Sequence, residues 1–209
     1  MSAEATVFVV DDDQDLCQAL RWLLESDGLK VETYTSAQAF LAAYDPDRPG
    51  VLLLDVRMRG MNALELQQHL NDRGVGIPII ILTGRGVVPM AVRALKGGAV
   101  GFLQKPVKDQ VLLDQIHAAI ELDAERCRRQ TTRATLLARL QRLTPRERQV
   151  MNLVVCGKSN KSIARELNVS EKTVELHRRR VMRKMGAGSA VELVRAVLTL
   201  EHQQPAPSA

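Results

Sequence analysis

Four short apolar runs in the first half of the chain each lead into a residue that carries chemistry, and this constrains the fold more than any other feature. Residues 7–10 run into Asp11-Asp12-Asp13, 51–54 into Asp55, and 77–82 into Thr83, while 100–103 are followed closely by Lys105-Pro106. Between them lie stretches with helical spacing. Leu16, Leu20, Leu23 and Leu24 recur along one face and Gly28 closes that segment. Ser36 is placed to cap a second helix that stops before Pro46. A third covers 62–72 through Leu64, Leu66 and Leu70, and a fourth covers 89–96, opened by Pro89 and ended by Gly97-Gly98. With a strand over 31–34 and a long helix from near Asp109, five strands alternate with five helices. Wholly apolar strands are what a sheet covered on both faces requires. The expectation is an α/β doubly wound domain with a five-stranded parallel sheet.

Ligands in such sheets bind at the carboxyl ends of the strands, which is where Asp11, Asp12, Asp55, Thr83 and Lys105 collect. Clustered carboxylates repel one another unless a cation intervenes. A hard, oxygen-liganded divalent ion, Mg²⁺ above all, meets that need while retaining waters. It can bridge a carboxylate to an incoming phosphoryl group, with Lys105 as a second positive charge and Thr83 as a hydroxyl donor. Taken singly, each residue has a plainer reading. An aspartate at a strand end is often a helix cap, and Asp13 needs no more than that role; Lys105 alone would be a surface lysine. Four strand ends aimed at one crevice favour a phosphoacceptor site.

Charge divides the 209-residue chain. Residues 1–122 carry a net −5 and residues 123–209 a net +10, so two domains with different partners are expected and the basic one is a nucleic-acid candidate. No apolar run approaches the roughly 20 residues that span a bilayer. No signal peptide is expected, since the N-terminus enters a strand-like run without a basic region. Three scattered cysteines, Cys17, Cys127 and Cys156, have neither metal-ligand nor disulfide spacing. A cytoplasmic protein with no membrane partner is expected.

In the basic half, residues 122–140 lack Gly and Pro and read as an at least partly helical linker. Thr144-Pro145-Arg146-Glu147 is a capping-box helix start. A second helix over 161–167, capped by Ser159 or Asn160, stops at Asn168. A third, over 171–185, is capped by Ser170 and stopped by Gly186. Ser189 and Glu192 form another capping box, opening a fourth helix. Two short helices joined by Asn168-Val169-Ser170 make a helix-turn-helix, whose second helix should enter the major groove of double-stranded DNA. On that helix Val174, Val181 and Met185 share an inward side. Lys172, Glu175, Leu176, Arg179 and Arg183 share another. Arg179 suits a guanine and Glu175 a cytosine amino group; Lys161, His177, Arg178 and Arg180 suit phosphates. Outside this setting the same helix would read as a solvated basic surface.

These residues resemble a known family. Asp11-Asp12, Asp55, Thr83 and Lys105-Pro106 match, in order and spacing, the receiver domain of bacterial response regulators, whose fold is flavodoxin-like. Leu143-Thr144-Pro145-Arg146-Glu147, Asn160-Lys161-Ser162-Ile163-Ala164 and Thr173-Val174-Glu175-Leu176-His177 resemble the LuxR/NarL-type DNA-binding domain. Together they cover nearly the whole chain, which is most similar to the FixJ-like subgroup that includes styrene-degradation regulators. The resemblance implies a receiver at 1–121, a linker at 122–140, an all-α four-helix DNA-binding domain at 141–203 and a flexible tail at 204–209. It implies that Asp55 is the phosphoacceptor. Asp12, Asp55 and the Arg57 backbone carbonyl would bind Mg²⁺ (or Mn²⁺) directly, and Asp11 through water. Thr83 and Lys105 would contact the phosphoryl group, with Phe102 as the aromatic switch and a cis Lys105-Pro106 bond. Lys161, Lys172, Thr173, Glu175, Leu176, His177, Arg179, Arg180 and Arg183 would meet DNA. The implied partners are a sensor histidine kinase, RNA polymerase and, through the fourth helix with Val191, Leu193, Val194 and Val197, a second copy of the chain on activation. Transcription activation rather than repression is the implied outcome, and no enzyme activity beyond the phosphoacceptor chemistry.

The chain departs from the family pattern after Asp55. Arg59 stands where a proline is usual and Ala63 where a glycine is; Arg85 and Val87 replace a His and an Asp of the subgroup. These changes leave the pocket residues intact and point to altered kinase docking or aspartyl-phosphate lifetime. Two competing readings follow from the same residues. One keeps DNA binding without phosphorylation control. The other is a Mg²⁺-dependent phosphohydrolase with Asp55 as nucleophile, which Arg57 disfavours because it occupies the place of the general acid.

Overall fold

The computed structural model describes residues 5–84 and 88–201. The chain divides into two compact units, Met1–Cys127 and Arg128–Ala209. In the first, strands β1 (Thr6–Val10), β2 (Lys30–Tyr34), β3 (Gly50–Asp55), β4 (Ile79–Thr83) and β5 (Gly101–Gln104) alternate with helices α1 (Gln14–Ser26), α2 (Ala37–Ala43), α3 (Ala63–Asp72), α4 (Val88–Lys96) and the start of α5 (Asp109–Gln141). All neighbouring strands are parallel, in the order β2-β1-β3-β4-β5. The winding reverses between β1 and β3, and a doubly wound sheet opens its crevice at such a reversal. Asp11 follows one of these two strands and Asp55 ends the other.

The apolar strands are buried on both faces, as their composition requires. Phe8, Val10, Leu52, Leu54 and Ile81 pack beneath Phe40, Leu66 and Leu70 on one side. Val7, Val9, Leu53, Ile80 and Leu82 meet Leu24, Leu112 and Ile116 on the other. Each fully buried side chain of this size contributes about 2–3 kcal/mol. β4 begins at Ile79, not at residue 77: Pro78 has no N–H to give the ladder, although its carbonyl accepts from Leu52 N at 2.9 Å. Asp13 is the N-cap of α1, accepting from Asp15 N and Leu16 N. Asn62 and Glu65 close a capping box on α3, and Ala63, where the family has glycine, is buried in the core.

The expected linker is part of one uninterrupted 33-residue helix, α5. Its portion up to Cys127 belongs to the first unit. Asp123, 1% exposed, accepts from Gly50 N at 2.8 Å and from Arg126 Nε at 2.9 Å. A charged residue in a stretch read as linker thus holds the first residue of β3. Gly50 has no alternative: a Cβ there would stand 2.1 Å from Thr6 O.

The second unit holds the end of α5, then α6 (Pro145–Val155), α7 (Asn160–Leu167), α8 (Glu171–Met185) and α9 (Ala190–Glu201). Leu143, Val150, Ile163, Val174, Val181, Met185 and Leu193 form its core. Thr144 and Glu147 make both bonds of the expected capping box. Ser159 caps α7, and Asn168 ends it in the left-handed conformation at φ 52°. Ser170 caps α8. At α9 the expected box is shifted: Ser189 Oγ accepts from Glu192 N, but the Glu192 carboxylate takes the Gly188 N–H. Among the described residues no helix is long and apolar enough to cross a membrane. The tail 204–209 and the departures Arg85 and Val87 lie outside the described residues.

Candidate functional site

The carboxyl edge of the sheet gathers the residues that the sequence placed there. Asp11 is 3% exposed, Asp55 8% and Thr83 2%. Lys105 Nζ reaches both carboxylates, at 2.8 Å from Asp11 Oδ2 and 2.6 Å from Asp55 Oδ1. Two backbone bonds fix this geometry. Lys105 N donates to Thr83 O at 2.7 Å, and Arg57 N donates to Asp55 Oδ2 at 2.7 Å. The Lys105-Pro106 peptide is cis. Burial alone would lower the pKa of Lys105, but the hydrogen bonds and charges of Asp11 and Asp55 outweigh it and hold the ammonium above its ordinary value.

Asp12 lies at the same strand end with a more open carboxylate, 3.9 Å from the guanidinium of Arg59, which is itself almost wholly in solvent. As the side chains stand, no group of three His, Cys, Asp or Glu residues converges to hold a metal ion among the described residues. The donor set nonetheless has the chemistry for one. Asp11 and Asp55 share one partly buried ammonium, Asp12 lies at the same strand end, and the available ligands are all oxygens, which hard divalent ions take. Phe102 on β5 is half-buried against the α3–α4 face, on the strand next to Thr83.

In the second unit, α8 separates as its sequence requires. Val174, Val181 and Met185 are buried, while Lys172, Glu175, Leu176, Arg179, Arg180 and Arg183 are exposed, as is Lys161 at the start of α7. Two expected contacts are placed differently from these. Thr173 is half-buried, its hydroxyl 2.8 Å from that of Ser170 within the cap. His177 is half-buried, with Nδ1 inaccessible and without a hydrogen-bond partner. Arg178, read from sequence as a phosphate contact, donates to Asn160 Oδ1 at 2.8 Å and ties α8 to the first residue of α7.

Several basic residues of this half act inside the fold. Arg146 Nη2 donates to Leu167 O at the end of α7, at 2.6 Å, and Arg148 to Leu140 O near the end of α5, at 3.2 Å. Arg139 Nη1 donates to Met185 O, the last carbonyl of α8, at 2.9 Å. Lys184 pairs with buried Glu147; this bond, with the Thr144 N–H, holds the Glu147 carboxyl down at about 2. Sequence reasoning missed these roles, because each partner lies 8 to 46 residues away along the chain and no local pattern marks it.

A doubly wound sheet with this carboxylate–lysine edge, followed by a helix-turn-helix, defines a class: a receiver domain joined to a DNA-binding module. Comparison with known proteins agrees. The family described as Response regulator receiver domain matches residues 7–117, and that described as Bacterial regulatory proteins, luxR family, matches 141–197. Nodulation protein W of Bradyrhizobium diazoefficiens is 46% identical over 199 residues, covering 95% of this chain and 88% of that one. Transcriptional regulatory protein FixJ of Rhizobium meliloti is 45% identical, covering 92% and 95%. A low-resolution structure of the response regulator StyR superposes with a TM-score of 0.87 at 45% identity, covering 94% of this chain and 99% of that one. The chain belongs to the two-component response regulators that control transcription, with a receiver domain and a luxR-type DNA-binding domain.

Proposed function

We propose that Asp55 accepts a phosphoryl group from a sensor histidine kinase and thereby controls dimerisation and sequence-specific DNA binding by the second domain. The observation that carries this reading is the Lys105 ammonium shared by the buried carboxylates of Asp11 and Asp55. An Asp55 oxygen attacks phosphorus, the bond to the kinase histidine nitrogen breaks, and that nitrogen leaves with its electron pair. Lys105, already beside Asp55, pairs with the oxygens of the transferred group. The Thr83 hydroxyl hydrogen-bonds them, and Phe102 moves with it. Asp11, Asp12, Asp55 and the Arg57 carbonyl would hold Mg²⁺ or Mn²⁺, which when bound neutralises charge on the transferring phosphoryl group.

On DNA, Arg179 and Glu175 read base edges, with Leu176 beside them. Lys161, Lys172, Arg180 and Arg183 hold phosphates, with Thr173 and His177 at the margin. The phosphorylated chain acts as a dimer through α9 and engages RNA polymerase as an activator. Residues 122–140 serve as the helical connection between the two domains.

Intact mass after incubation with acetyl phosphate and Mg²⁺, with size-exclusion chromatography on the same samples, tests this. One added phosphoryl group and a shift toward dimer are expected for the wild type, and neither for Asp55→Asn. Equal labelling of the two proteins would sink the assignment of Asp55.

A further inference from the structure

The helix that leaves the first unit ends as part of the second. Beyond Cys127, α5 belongs to the second unit, and Leu140 packs on the α6–α9 core. One residue of this segment reaches the helix that reads DNA. Arg139 Nη1 donates to Met185 O at 2.9 Å, where α8 leaves a backbone carbonyl without an intrahelical donor and where the helix dipole favours a cation. The residue that follows Met185 leaves room for the same guanidinium. Gly186 ends α8 at φ 67°, and a Cβ on it would stand 2.6 Å from Arg139 Nη1 and 3.0 Å from its Cζ. The glycine therefore supplies both the left-handed turn and the room in which the guanidinium lies.

α8 is also held from other sides, at its last turn as well as earlier along its length. Lys184 is paired with Glu147 of α6 and Arg178 with Asn160 of α7. Arg139 adds the hold from α5, at the last turn. Base readout depends on positioning a side chain within roughly half an ångström, and phosphate contacts are more forgiving because they are largely electrostatic.

We propose that Arg139 is a positioning residue for DNA reading: its guanidinium, seated over Gly186 on the Met185 carbonyl, sets the placement of α8, so it governs sequence discrimination without touching DNA. The inference rests on α8 being the reading helix, and the test separates the two ideas.

A duplex is first selected from a random pool by the full-length wild-type chain treated with acetyl phosphate. Affinities for it and for a scrambled duplex are then measured across a salt series for wild type, Arg139→Met and Arg139→Lys. Discrimination is expected to fall about tenfold in Arg139→Met. Scrambled-duplex affinity and its salt slope should stay unchanged, and Arg139→Lys, which keeps one donor and the charge, should recover part of the loss. Unchanged discrimination overturns the proposal. So does a parallel fall in both affinities with a shallower salt slope, because that is the behaviour of a phosphate contact.

Hydrogen exchange at the Gly186 and Ala187 amides gives a readout independent of DNA. It should quicken about tenfold in Arg139→Met, and unchanged protection there also overturns the idea. If Arg139→Met does not fold, Arg139→Lys is read by the same criteria. Should the wild type select no duplex, the reading role of α8 fails, while the exchange measurement still decides whether Arg139 holds the helix end.

Discussion

Lys105 determines how two buried carboxylates coexist at the sheet edge. Without its ammonium, Asp11 and Asp55 would face each other with no buried counter-charge, a costly arrangement in a low-dielectric site. Lys105→Met should therefore destabilise the first domain by about 2 kcal/mol in chelator. Mg²⁺ should restore more melting temperature to this variant than it adds to the wild type; equal Mg²⁺ effects would show that the charges are not coupled. The second domain has its own residue-scale determinant. The Glu147 carboxyl is held at about 2, chiefly by its hydrogen bond to Lys184, below the ordinary carboxylate value of about 4.3. A depressed carboxylate pKa contributes stability that is present above the unfolded value and lost as pH falls through the folded one. The second domain should thus lose stability between about pH 4.3 and pH 2. Glu147→Gln should cost about 2 kcal/mol at neutral pH and flatten that acid limb, as thermal melts across the range would record.

At the scale of elements, β3 is anchored at one end by α5 and presents Asp55 at the other. The Asp123 carboxylate takes the Gly50 N–H at 2.8 Å and the Arg126 guanidinium, so Asp123→Ala would leave a buried donor and a cation without it. We expect the urea unfolding transition of the first domain to shift by about 3 kcal/mol, and less for Asp123→Asn, which keeps one acceptor. A shift below about 1 kcal/mol would mean water replaces the carboxylate. The elements themselves were largely legible, since apolar runs, caps and glycine stops are local signals. Ser36, Thr144, Ser159 and Ser170 all cap the helices they precede, and Asn62, read from sequence as the first residue of a helix, is the cap of α3. The continuity of α5 was only half legible: no breaker interrupts 122–140, but nothing local says which of its charges are buried.

For the whole molecule, the contrast between an acidic first half and a basic second half overstates the charge available to DNA. Arg139, Arg146 and Arg148 sit on helix-end carbonyls, and Lys184 is paired with a buried glutamate. The exposed set on α7 and α8 is smaller: Lys161, Arg165, Lys172, Arg179, Arg180 and Arg183. Arg180→Ala should weaken binding to all duplexes alike and reduce the slope of log affinity against log salt by about 1. Arg146→Ala should lower the melting temperature of the second domain and leave that slope unchanged. If the two variants change the slope equally, the division between structural and DNA-facing arginines is wrong.

The sequence alone determined the strand-and-helix alternation, the residues at the carboxyl edge of the sheet and the helix-turn-helix with its caps. Each of these follows from hydrophobic period, capping chemistry or backbone preference acting over a few residues. Tertiary structure decided what depends on groups brought together from afar. It put Lys105 between Asp11 and Asp55, Asp123 on the amide of Gly50, Arg178 on Asn160 and Arg139 on the end of α8. A charged side chain looks the same in sequence whether it faces water or caps a carbonyl 46 residues away; burial and the unpaired backbone groups of helix and strand ends make that choice.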